Sequence, residues 1–415
     1  MQKCLTDRRK SISLFLLLFV AYALIYMTKN CYAAAMASIV DEGVMTKSET
    51  GLIAAAFYLI YAPFQIVGGI AADRYSPAKL ILFGLVGAGV CNLLVYFFSG
   101  NYIAMLIIWS LNAVAQFGVW PAVFKLVATQ LKAEHRMGGV FYINFSASLG
   151  LALSYAIAVF ITDWRMNFFI SAVTLFLSSA VFWFLYHGLE RHMTSCVVAE
   201  IPVKSEAAVK SCAKKNFALI VGAGIPLLMI VNANVGLLNL GLKALVPIML
   251  VESYESVSPA LGNALNILLV LAGPVGLFLA KLPIFKRFND SVSITGLFVL
   301  LLPFLVVITL VGRIGIVFIV GALVILMMLI SAASVFFGYI SRVFERFGCS
   351  GTVAGMINCM AALGVVLANY VFARVAELFG WGVATASWLV LGAVAVFLML
   401  IFVPIWKRFE KKIEE

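Results

Sequence analysis

Residues 11–37 read SISLFLLLFVAYALIYMTKNCYAAAMA. This run is apolar and long enough to cross a bilayer, for which about 20 residues suffice. It nevertheless holds one cation, Lys29, with no carboxylate near it in sequence. A lysine at the centre of a membrane helix costs roughly 2.5–3.5 kcal/mol on insertion, which packing alone does not justify. Lys29 lies 18 residues into the run, 11 to 29, or about 27 Å of helix rise, which places it in the outer half of the span. Snorkelling to the outer surface along its flexible stem would relieve the charge. Facing a bundle interior, where it meets an anion, would use the charge, and the rest of the chain supports this reading.

Of the 415 residues, 64% are hydrophobic and 11% charged. A soluble domain is near half apolar and about a quarter charged, so the chain is read as an all-α membrane protein. The net charge of +11 does not imply nucleic acid, because the basic residues fall in short inter-segment loops and at the two ends. The seven cysteines have no metal-ligand spacing and suggest neither a disulfide framework nor a metal site. No cofactor is expected. The first apolar run exceeds a signal-peptide core and is expected to remain as a helix.

Apolar segments recur at 11–37, 50–72, 79–99, 102–130, 138–161, 166–187, 217–250, 258–280, 291–311, 314–341, 350–377 and 380–405. These predict twelve transmembrane helices, six in residues 1–187 and six in 217–415, with 188–216 as a flexible cytoplasmic linker. Lysine and arginine set the orientation. Lys3, Arg8, Arg9 and Lys10, the turns holding Arg74 and Lys79, Lys132 and Arg136, Lys281 and Lys286, Arg342 and Arg346, the linker and the tail are basic. The opposite loops are short or acidic, with Asp41, Glu42, Glu252, Glu255 and Glu377. Both termini are therefore expected in the cytoplasm, as an even number of crossings requires, with the plasma membrane of a bacterium as the setting.

The sharpest local signal is Gly68-Gly69-Ile70-Ala71-Ala72-Asp73-Arg74-Tyr75, between the second and third segments. Small residues let helix ends approach closely, and Asp73 and Arg74 suit a charged turn against a helix terminus. In a six-plus-six chain this loop resembles the signature of the major facilitator superfamily. The resemblance implies two pseudo-symmetric six-helix bundles, a substrate site between them at mid-membrane, conformational roles for Gly69, Asp73, Arg74 and Arg136, and a monomer. The matching stretch of the second half, Leu279 to Lys286, lacks the acidic residue and reads as a degenerate copy.

Further stretches resemble the organophosphate:phosphate antiporters, the glycerol-phosphate and hexose-phosphate transporters. Ile25 to Met36 is similar to their first helix, with Lys29 at the place of an essential arginine. Phe117-Gly118-Val119-Trp120-Pro121 is similar to their Gly-Trp-Pro segment, with Lys125 at an often basic position, and Asn144 stands where they carry a Trp-Asn pair. The departures bear on cargo. Asn239 occupies the place of the second arginine, and Lys243 follows four residues later on the same face; Ala147 replaces a histidine. Both cations are lysines, which lack the bidentate fork that suits phosphate. The resemblance thus implies a small organic anion, a phosphate ester, phosphonate or carboxylate. Tyr26, Tyr32, Tyr61, Gln65, Trp120, Asn144 and Asn358 are candidates to contact it beside Lys29, Lys243, Asn239 and Lys125.

No Asp or Glu falls clearly inside a segment, and His135, His187 and His192 lie at segment ends or in the linker. A proton-coupled carrier usually needs a membrane-embedded carboxylate or histidine; an anion exchanger does not. Exchange against phosphate or another anion by alternating access is the expected activity. A proton-coupled symporter or a drug exporter of the same fold is the alternative, and a ligand sensor on a transporter scaffold is a third class. No nucleophile, base or metal cluster supports an enzyme. The expected partners are a small anionic solute and the lipid bilayer.

Overall fold

In hydrocarbon each backbone polar group must be satisfied within the protein, which leaves helices as the natural form for long apolar runs. The computed structural model describes residues 2–161, 163–196, 219–347 and 350–414. Within them, the side chains of Gln65, Asp73, Arg136 and Asn144, together with the surroundings of Gly69, lie outside the described residues.

The first half folds as α1 (Arg8–Asp41), α2 (Lys47–Arg74), α3 (Pro77–Phe97), α4 (Tyr102–Ala115), α5 (Val119–Gln130), α6 (Ala133–Phe160) and α7 (Trp164–Glu190). The second half contains α8 (Ile225–Gly236), a π-helical turn at Leu237–Gly241, α9 (Leu242–Ser253), α10 (Pro259–Leu279), α11 (Asp290–Ile308), α12 (Ile316–Val343), α13 (Ser350–Leu367), a second π turn at Ala368–Phe372, α14 (Ala373–Phe379) and α15 (Trp381–Glu414). Counting α4 with α5, α8 with α9 and α13 with α14, the described residues make twelve rods. Ten of them contain a stretch long and apolar enough to span a membrane. The other two, α2 and α6, have 28 residues each, about 42 Å of rise.

Local chemistry sets the ends. Asp7 caps α1 by accepting from Arg9 N at 2.8 Å. Thr46 and Glu49 form a reciprocal capping box on α2, a device that satisfies two orphan donors. Pro77 opens α3, where its missing N–H is no loss. Gly43 and Gly380, at φ 68° and 80°, turn the chain where a side chain would be strained.

The linker reading is partly revised. Gly188 to Glu190 continue α7, and Thr194–Cys196 pairs antiparallel with Gln2–Cys4. Three residues per strand are too few for any periodicity to reveal them. Beside this ribbon Leu5 is buried, and its N–H donates to Gln130 O at 2.9 Å. Residues 197–216 of the expected linker lie outside the described residues.

The chain divides into two compact units, Met1–Ala199 with Val257–Ile267, and Glu200–Ser256 with Leu268–Glu415. In the first, a Cβ on Gly150 of α6 would fall 2.1 Å from Ala23 O of α1, so α1 and α6 meet backbone to backbone. In the second, a Cβ on Gly364 of α13 would fall 1.9 Å from Ala233 O of α8. Trp164 Nε1 donates to Glu42 at 3.0 Å, and Trp381 Nε1 to Glu252 at 2.7 Å. The internal repeat is therefore written in equivalent contacts. Ala23 and Ala233 are separated by the same 210 positions as Glu42 and Glu252. That common interval puts Asn239 at the register of Lys29.

Glu42 also accepts from Arg165 at 3.1 Å. Trp164→Phe removes one hydrogen bond to a half-exposed carboxylate that keeps a second donor. The expected loss is about 1 kcal/mol, read as a small fall in thermal denaturation temperature in detergent; an unchanged temperature refutes it.

Candidate functional site

Tyr22, Tyr26 and Lys29 recur at four and three residues, which places them on one face of α1. On α2, Tyr61 follows Tyr58 by three residues and Phe57 by four, two residues before Pro63, which lies inside that helix. The two faces meet around the Lys29 ammonium. Its Nζ lies 3.8 Å from the ring centroid of Tyr61, 5.1 Å from Tyr26, 5.3 Å from Phe57 and 5.4 Å from Tyr58. Phe57 and Tyr61 stack at 5.6 Å and fix the floor of the box. Lys29 is 7% exposed, so it turns into the first unit and does not snorkel. Among the described residues no carboxylate lies within ion-pair distance of it. Cation–π attraction is worth roughly 2 kcal/mol when desolvated; the burial penalty of an ion is several. The rings hold the ammonium in place without neutralising it.

In the second unit Lys243 is also buried, and its Nζ donates to Asn239 Oδ1 at 2.6 Å. Side chains on a helix lean toward its N-terminus, so the ammonium of Lys243 reaches back to the turn that carries Asn239. The π turn at Leu237–Gly241 lies directly beneath, and such turns are frequent at functional sites.

The other candidates separate. Tyr26 and Tyr61 join Lys29. Tyr32 does not: it is buried against Trp109 and Phe168, and its hydroxyl donates to Thr50 O at 3.1 Å. Lys125 donates to Ala72 O at 2.7 Å; it completes the C-terminus of α2, where a cation is favoured by the exposed carbonyls. Trp120 is 40% exposed and packs on Phe124 at 4.4 Å, apart from the Lys29 box. Asn358 is exposed on α13 and Arg74 ends α2 exposed. Gln65, Asn144, Gly69, Asp73 and Arg136 complete the set expected from the sequence and lie outside the described residues. Two further asparagines act between helices: Asn232 donates to Ile357 O at 2.8 Å and Asn263 to Ala34 O at 2.9 Å.

Phe57 is not among the candidates read from the sequence, although its spacing of four residues from Tyr61 marks a shared face. Among the described residues no three His, Cys, Asp or Glu side chains gather as metal ligands.

A sequence model described as Major Facilitator Superfamily matches residues 18–369. The membrane sensor protein UhpC of Salmonella typhimurium is 32% identical over 136 residues, 33% of this chain and 30% of that one. A probable hexose phosphate transport protein of Chlamydia trachomatis is 25% identical over 166 residues, 39% of this chain and 36% of that one. These matches thus span about a third of the relatives' length. Among solved structures, a bacterial homolog of the human lysosomal transporter Spinster, in an inward-facing and unoccupied conformation, superposes with a TM-score of 0.77 at 13% identity. That match covers 97% of this chain and 99% of the other.

Proposed function

The chain belongs to the Major Facilitator Superfamily, and on that premise we propose that it exchanges a small organic anion against phosphate or another anion by alternating access. The cargo class is a phosphate ester, phosphonate or carboxylate. The observation that carries this reading is the Lys29 ammonium, buried in four aromatic rings with no carboxylate beside it among the described residues. A site built this way demands an anion from outside. The hexose phosphate transport protein among the relatives handles a solute of that charge by its description. In the proposal Lys243, with Asn239, is a second cation available to an anion. The six-helix halves 1–187 and 217–415 are the moving bodies, and both termini face the cytoplasm.

Exchange follows from electrostatics. A cation that must move through a low-dielectric barrier is cheaper to move paired than bare. The rings return only a part of that difference, so the loaded carrier crosses and the empty one waits. The test is uptake of labelled phosphate or glucose 6-phosphate into vesicles holding the purified protein. Uptake is expected to need anion inside the vesicle. Equal uptake into anion-free vesicles ends the exchange mechanism, and uptake that collapses with a proton uncoupler favours a symporter.

The similarity to UhpC, a membrane sensor, supports a second reading in which the same site binds an anion without moving it. Saturable binding by the protein in detergent, with no flux in vesicles, selects the sensor.

A further inference from the structure

Glycines in membrane helices usually mark close packing, and Gly276 of α10 is of that kind: a Cβ there would fall 2.3 Å from Met328 O. Gly273, one turn earlier, is different. A Cβ on Gly273 would meet Ser331 Oγ at 3.3 Å and Lys243 Nζ at 3.8 Å, with no backbone atom in reach. The bare backbone of α10 therefore lies at a point where an ammonium from α9 and a hydroxyl from α12 converge, and a methyl group there would crowd the hydroxyl. Ser331 and Lys243 are both buried. An ammonium can only donate, so the Asn239 carboxamide must present its oxygen to Lys243. The amide nitrogen of Asn239 is then directed elsewhere as a donor.

We propose that Gly273, Ser331, Lys243 and Asn239 form an oxyanion corner in which the charged group of the solute rests on the bare α10 backbone. Lys243 Nζ and Ser331 Oγ each donate to one of its oxygens. The proposal rests on the anion-transport reading above and adds Gly273 and Ser331 to it as specificity-determining residues. The two units hold their lysines by different means. Lys29 is held by the π faces of one phenylalanine and three tyrosines. Lys243 sits beside the Asn239 carboxamide and the Ser331 hydroxyl, so its point charge is supplemented by a separate neutral donor. Gly273 is the permissive residue, because a methyl group there would press on the Ser331 hydroxyl and the Lys243 ammonium and move them from the positions in which they converge.

The test is thermal-shift titration of the full-length protein in detergent with inorganic phosphate, glucose 6-phosphate and glucuronate. For whichever probe binds the unsubstituted protein, Gly273→Ala is expected to weaken binding at least tenfold, because the methyl group pushes the Ser331 hydroxyl out of the position from which it donates. Its unliganded denaturation temperature stays close to that of the parent, since the Ser331 hydroxyl rotates away. Ser331→Ala, nearly isosteric, is expected to weaken binding about tenfold through one lost hydrogen bond to a charged group. Gly276→Ala, the packing control, lowers the denaturation temperature instead. A parent protein that responds to a probe while both Gly273→Ala and Ser331→Ala bind it within twofold of the parent overturns the corner and leaves the transport reading standing. A parent that responds to none of the three probes removes the anion reading and the corner with it.

Discussion

Lys29→Met is expected to abolish anion binding while making the empty protein slightly more stable. The two effects have opposite signs because they arise in different states. In the loaded state the ammonium faces an anion in a desolvated site. Removing one partner of a buried charge pair costs about 3–5 kcal/mol, or a loss of affinity on the order of a hundredfold or more. In the empty state the same ammonium is a burden. Its insertion penalty is roughly 2.5–3.5 kcal/mol, and the rings of Tyr26, Phe57, Tyr58 and Tyr61 offset roughly 2 kcal/mol of it. The remainder predicts a gain of about 1 kcal/mol for methionine, whose unbranched thioether fits an aromatic box. Lys29→Arg keeps the charge but must fit a planar fork between rings placed for a point charge; partial function is expected, about tenfold below the parent. The measurement pairs vesicle flux with unliganded denaturation temperature. Methionine at position 29 that binds anion within threefold of the parent would remove Lys29 from the site, and a fall in stability would show that the lysine serves packing.

That Lys29 turns inward was legible because a lone cation in an apolar run has few bland explanations. Its neighbours were less so. Tyr26 shares its helix, and spacing alone puts it near; Tyr58 and Tyr61 of α2 are polar enough in an apolar run to be candidates, whereas Phe57 is brought by the rotation of α2 about its axis, which hydropathy does not encode. Lys125 shows the same limit from the other side. In sequence, a cation within the fourth apolar segment looks the same whether it meets a solute or closes the end of a neighbouring helix. The bond to Ala72 O joins residues 53 positions apart and belongs to tertiary structure. The twelve spans were legible because length and hydropathy are additive along the chain. The register of Asn239 with Lys29 was readable from sequence similarity and recurs in the structure through the Ala23–Ala233 and Glu42–Glu252 intervals. Gly273 and Gly276 are indistinguishable as letters; only the atoms opposite them, polar side chains for one and a carbonyl for the other, separate a binding position from a packing one.

Gly364→Ala is expected to destabilise the second unit severely, enough to deplete folded protein. Its Cβ would fall 1.9 Å from Ala233 O of α8, and a Cβ on Gly236 would fall 1.9 Å from Ala361 O of α13. The contact is reciprocal, backbone against backbone, so no side chain can yield and both helices must separate. Overpacking ordinarily costs about 1–3 kcal/mol; with a carbonyl as the obstacle and two helices to displace, about 3 kcal/mol or more is expected. Gly355, nine positions earlier on α13, has open space at its Cβ, and Gly355→Ala should be neutral or gain up to about 1 kcal/mol from helix propensity. Equal denaturation temperatures for the two variants would refute the argument. The same contact explains the π turn. Five residues of α-helix rotate the chain by about 500°, which would swing Gly241 away from the face that Gly236 presents to α13. The wider turn at Leu237–Gly241 absorbs one residue and brings Gly241 back against Ala368, where a Cβ would fall 2.1 Å from that residue's methyl carbon. Asn239 lies inside this turn and Lys243 just beyond it. Prising α13 from α8 should therefore disturb the lysine as well. A milder variant such as Gly241→Ala, where folded protein survives, is expected to lose anion affinity together with stability, whereas Gly355→Ala loses neither.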